Sequence, residues 1–67
     1  GRHGFLNRFA RAMFETGYTR VDVLSWTKDL DSRLGDWYED GPKFTGRQDC
    51  ERQIDRLVTD AERKATR

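Results

Sequence analysis

Phe5, Phe9, Phe14, Tyr18, Trp26, Trp37, Tyr38 and Phe44 are the main apolar mass of a 67-residue chain in which 37% of residues are charged and 34% hydrophobic. Most of them fall at helical spacing. In so polar a chain these rings are expected to serve two ends, filling the core and forming any surface that holds another molecule. A chain this short forms a single domain, 1–67, whose core rarely supplies more than about 3–5 kcal/mol of net stability, so small domains often lean on a partner. Its one cysteine, Cys50, rules out an internal disulfide, and one Cys with one His makes a dedicated metal site unexpected. The lone thiol suits a reducing, cytoplasmic setting. No run of about 18 apolar residues reads as a membrane span. The first residue is Gly1 rather than Met, consistent with a processed chain or a fragment of a longer protein.

Punctuation defines three helices, at about 4–16, 20–39 and 46–65, and hence an all-α three-helix bundle of up-down-up order. In the first, Phe5, Leu6, Phe9, Ala10, Ala12, Met13 and Phe14 occupy an arc of roughly 200°, wider than one neighbour covers. Gly17 suits the left-handed position that ends a helix, with Tyr18 packing back on Met13. Thr19 is placed to cap the second helix at Asp22, while Tyr18 staples to Val23, so one ring is expected to close both helix ends. The second helix gathers Val23, Leu24, Trp26, Thr27, Leu30, Leu34, Trp37 and Tyr38 on one side; Gly35 weakens its last turns and Gly41-Pro42 stops it. Thr45 and Gln48 form a capping box for the third helix. Its stripe of Cys50, Ile54, Leu57, Val58, Ala61 and Ala65 is narrow and suits one neighbour. Cys50 on that stripe reads as a small buried hydrophobe.

The net charge of +1 conceals an acidic middle segment, −3 over residues 20–40, between flanks of +2 each, a pattern of complementary neighbouring helices. Enzyme signatures are absent: no phosphate-binding glycine loop, no nucleophile elbow, no His-containing metal spacing, and His3 lies near a terminus expected to be solvent-exposed and inert. Asp29 and Asp31 point to different helix faces, and Asp36, Glu39 and Asp40 lack the calcium-loop glycine, so these acids read as solvated. Residues 9–28 partly fit a helix-turn-helix, with Gly17 as turn glycine and Thr19 opening a recognition helix. That helix carries Asp22 and Asp29 against only Arg20 and Lys28, which weighs against phosphate contact.

Two resemblances meet between Gly17 and Leu34. The run Gly17-Tyr18-Thr19-Arg20-Val21-Asp22-Val23-Leu24-Ser25-Trp26 resembles the glycine–tyrosine helix start of DivIVA-type polar scaffold proteins, with Leu24 where an acid is usual. Leu24 to Asp31 is similar to the Ser-x-x-x-Asp helix of small aspartyl-phosphate phosphatases acting on response regulators; Thr27 stands in the serine position and Asp31 matches the acid. Those phosphatases are helical hairpins without a strong third helix. Each resemblance covers about a quarter of the chain, on helix-cap residues, and neither assigns it to a family.

The sequence therefore points to a non-catalytic regulatory or adaptor module with no cofactor and no metal. It is expected to dock on another protein or on a second copy of itself through Phe5, Phe14 and Trp26, with Arg8 and Arg11 beside them. A DNA-binding regulator and a phosphatase-like enzyme are the alternatives. Circular dichroism is expected to give a predominantly helical spectrum; substantial strand content would contradict the bundle.

Overall fold

The computed structural model describes residues 1–35, 37 and 46–65. Helices α1 (Arg2–Thr16), α2 (Arg20–Arg33) and α3 (Arg47–Ala65) pack on one another in a three-helix bundle. Among the described residues there is no strand.

The turn between α1 and α2 forms as its sequence dictates. Gly17 sits at φ 104°, in the left-handed region, and its N–H donates to the Phe14 carbonyl at 3.0 Å while the Tyr18 N–H donates to Met13 at 3.2 Å. This pair of bonds satisfies carbonyls that a helix end otherwise leaves bare. Thr19 follows in extended conformation and its Oγ1 accepts from the Asp22 N–H at 3.4 Å. The Tyr18 ring, however, is 44% exposed and meets the edge of Trp26, with ring centroids 4.9 Å apart, so the junction rests on backbone bonds more than on that ring.

Two boundaries differ from expectation. α1 begins at Arg2, two residues early, which places His3 inside the helix, exposed, with its ring 6.2 Å from that of Trp37. α2 ends at Arg33 rather than near 39: Leu34 caps it, its N–H donating to Leu30, and Gly35 turns the chain away at φ 90°. Gly35 is thus the terminator and not merely a weak point, because a left-handed residue after the last turn is the ordinary way to leave a helix. The stop at Gly41-Pro42 and the cap at Thr45 lie outside the described residues.

The core is aliphatic. Leu6 and Ala10 from α1, Val23 from α2, and Cys50, Ile54, Leu57, Val58 and Ala61 from α3 are buried together, while Met13, Phe14, Leu24, Leu30 and Trp37 pack around them partly exposed. No ring among the described residues is fully buried, which corrects the expectation that the aromatics fill the centre. Cys50 behaves as the small buried hydrophobe the stripe implied. α3 contacts both α1 and α2, where its narrow stripe suggested one neighbour. Thr27, also buried, avoids an unsatisfied hydroxyl by donating to the Val23 carbonyl at 2.7 Å.

Asp31 is the other correction, for it is 4% exposed rather than solvated. One carboxylate oxygen accepts from the Arg2 guanidinium at 2.5 Å and the other from the Trp37 N–H at 3.2 Å; Arg2 also donates to the Leu34 carbonyl at 3.2 Å. The start of α1 is thereby tied to the end of α2, at the opposite end from Gly17. Removing this acceptor by Asp31→Ala is expected to destabilise the fold by about 1–3 kcal/mol in denaturant melts. A loss below about 0.5 kcal/mol would mean that the tie does not hold the helix ends. Gly17→Ala should cost about 1 kcal/mol, from the left-handed φ alone.

Candidate docking face

Two polar side chains, Asn7 and Arg20, fix how the helices turn toward one another. Asn7 of α1 donates to Asp60 of α3 at 3.3 Å, and Arg20 of α2 reaches Glu62 at 3.3 Å and Thr59 at 2.7 Å on α3, with Asp55 at 3.7 Å. These identify the flanks of α1 and α2 that look toward α3. At about 100° per residue, the flanks turned away from α3 carry Phe5, Phe9 and Ala12 on α1 and Trp26 and Leu30 on α2. Because the two helices are antiparallel neighbours, those positions line one surface along their seam.

Exposure agrees with that placement. Phe5 is 43% and Trp26 38% exposed, Ala12 is exposed, and Phe9 and Leu30 are partly buried. The edge-on contact of Tyr18 with Trp26 extends the surface toward the Gly17 turn. Such an aromatic pair holds its rings in place and contributes about 0.5–1.5 kcal/mol beyond area burial.

The expected docking residues therefore separate. Phe5 and Trp26 share the seam. Phe14 does not: nine residues from Phe5, it lies on the opposite side of α1, partly buried against the core. Arg8 is exposed at the outer border of the seam. Arg11 is exposed too, but it pairs with Glu15 at 3.5 Å on a flank turned from the seam. Phe9 and Tyr18 join the surface unforeseen. The signal was available, since Phe5, Phe9 and Ala12 are spaced four and three apart, but a 200° arc does not say which part of it a third helix covers.

The polar remainder has little chemistry of its own. A shallow depression of about 410 Å³ beside α3 is lined by Arg20, Asp55, Arg56, Thr59, Asp60 and Arg63, where two carboxylates lie among three guanidinium groups. A smaller one of about 280 Å³ lies at the start of α3. No three His, Cys, Asp or Glu side chains among the described residues converge as metal ligands, and no described helix is long and apolar enough to cross a membrane. Asp31 and Thr27, the positions matching the phosphatase helix, are both buried and both hydrogen-bonded within the fold.

Asp60 joins α3 to α1. Its carboxyl is held below the usual 3.8, first by the hydrogen bond from Lys64, 3.1 Å away, with the Asn7 amide adding to it. A carboxyl depressed in the folded state contributes stability above its ordinary range and loses it as pH falls through the lower folded value. The gap in melting temperature between wild type and Asp60→Asn should thus be present near pH 6 and close toward about pH 2. An unchanging gap would show that the charge of Asp60 plays no part.

Compared with protein-family models, curated proteins and solved structures, the chain matches none of them, so its function rests on its own residues.

Proposed function

We propose that this chain is a non-catalytic protein-interaction module that docks through the α1–α2 seam. The observation that carries this reading is the division of apolar labour: aliphatic side chains close the core among the described residues, while Phe5 and the Tyr18–Trp26 pair stay about two-fifths exposed along one seam. Exposed rings held in place on a rigid hairpin are the side chains that most often dominate binding energy when a partner desolvates them. Arg8 stands at the border, where a charge sets orientation and encounter rate more than affinity. A regulatory or adaptor role is the kind of work a small domain with such a surface would do.

The DNA-binding alternative gains no support from the geometry. Arg20, one of two bases on the would-be recognition helix, is engaged by Glu62, Thr59 and Asp55.

The double variant Phe5→Ser with Trp26→Ser tests the reading. It should keep the helical signal and a cooperative melt, because both rings lie outside the buried cluster, yet lose at least about tenfold in binding to whatever the wild-type chain retains. Collapse of folding together with binding would make these rings structural. Equal retention by both chains would move the docking surface elsewhere. A mobility shift on random duplex DNA with steep salt dependence would instead favour nucleic acid.

A further inference from the structure

The borders of the seam carry opposite charges, and their arrangement selects an occupant. On the α1 side the border residue is Arg8, exposed and in no ion pair among the described residues. On the α2 side the border carries Asp22, Asp29 and Arg33, all exposed; Arg33 meets Asp29 at 3.0 Å, a pair open to solvent, and the two acids leave this border net negative. The tie between Arg2 and Asp31 at one end and the Gly17 turn at the other set the register of the antiparallel hairpin. With a rise of about 1.5 Å per residue, Arg8 and Asp29 then lie at one level along the bundle, to within about a turn.

A surface whose basic edge and acidic edge stand level is complementary to itself. Rotation by 180° about an axis parallel to the helices, set in front of the seam, lays α1 of one copy across from α2 of the other. Each Arg8 then faces the acidic border of the opposite copy, twice per pair, and the rings of Phe5, Phe9 and Trp26 meet across the middle. The other twofold axis, perpendicular to the helices, would oppose α1 with α1 and set like charges against each other. Isologous pairing of one patch with itself is the commonest form of protein self-association.

From these observations we infer that the seam is occupied by a second copy of this chain, in a parallel twofold dimer with Arg8 of each copy against Asp29 of the other. This rests on the docking reading and names its partner. Partly exposed rings and two solvent-accessible ion pairs make a small interface, below about 600 Å² per copy, and such interfaces belong to reversible complexes. A dissociation constant of roughly 1–100 μM is expected.

Sedimentation equilibrium on wild type and on two charge reversals, Arg8→Glu and Asp29→Arg, tests the arrangement, with circular dichroism confirming folding. Each reversal alone places like charges together at both contacts and should weaken self-association by about tenfold. An equimolar mixture of the two variants restores opposite charges at both contacts, so it should associate to within about threefold of wild type. A wild-type chain that stays monomeric at about 500 μM overturns the dimer; if Phe5→Ser with Trp26→Ser still abolishes binding to a different retained protein, the docking reading survives without it. Dimers indifferent to the reversals, or reversals that the mixture does not rescue, overturn the parallel arrangement.

Discussion

The width of the apolar stripe on α3 governs the rest of the fold. Among the described residues Cys50, Ile54, Leu57, Val58 and Ala61 supply five of the eight buried hydrophobic side chains, and they present a band too narrow to cover the wide arc of α1. α1 and α2 meet α3 through Leu6, Ala10 and Val23, with Phe14 packed partly buried beside them, while Phe5 and Trp26 stay outside the cluster. Burying one large aliphatic side chain is worth about 1.5–3 kcal/mol, so a core this small leaves a thin margin after chain entropy. Polar ties at the edges matter more than they would in a larger domain.

Those ties divide between the two ends of the hairpin. At one end the left-handed Gly17 and the Thr19 cap fold the backbone sharply; at the other Arg2 grips Asp31 and Leu34. Arg20 and Asn7 then lock α3 against both helices. The hairpin is held in register along its length, which is the property a docking surface needs: rings presented in fixed positions lose little freedom on binding.

Much of this was legible in the residues. The Gly17-Tyr18-Thr19 junction was readable because its chemistry is local, a left-handed glycine followed by a capping hydroxyl. The buried stripe of α3 was readable because its spacing is periodic. What escaped were long-range choices. Nothing local says that Asp31 will be buried, since that depends on Arg2, 29 positions away, reaching it. Gly35 was seen as a weakness and not as an end, because helical propensity alone does not decide whether a glycine is crossed or used to leave the helix. Phe5 and Phe14 look equivalent on an isolated arc; only the position of α3, which accepts Phe14 at the core and leaves Phe5 outside, separates them. The same placement puts Phe5, Phe9, Tyr18 and Trp26 along the open seam and Phe14 on the other side of α1.

Phe5, Phe9, Tyr18 and Trp26 line an open seam beside the aliphatic core of the described residues, and on this the account depends. Nuclear magnetic resonance with a soluble gadolinium chelate tests it directly, at a concentration low enough to keep the chain monomeric. Relaxation of the Phe5, Tyr18 and Trp26 ring protons should be strongly enhanced, while the methyl groups of Leu6, Ile54, Leu57 and Val58 remain nearly unaffected. Rings protected as fully as those methyls would contradict the account, for they would then be part of the core.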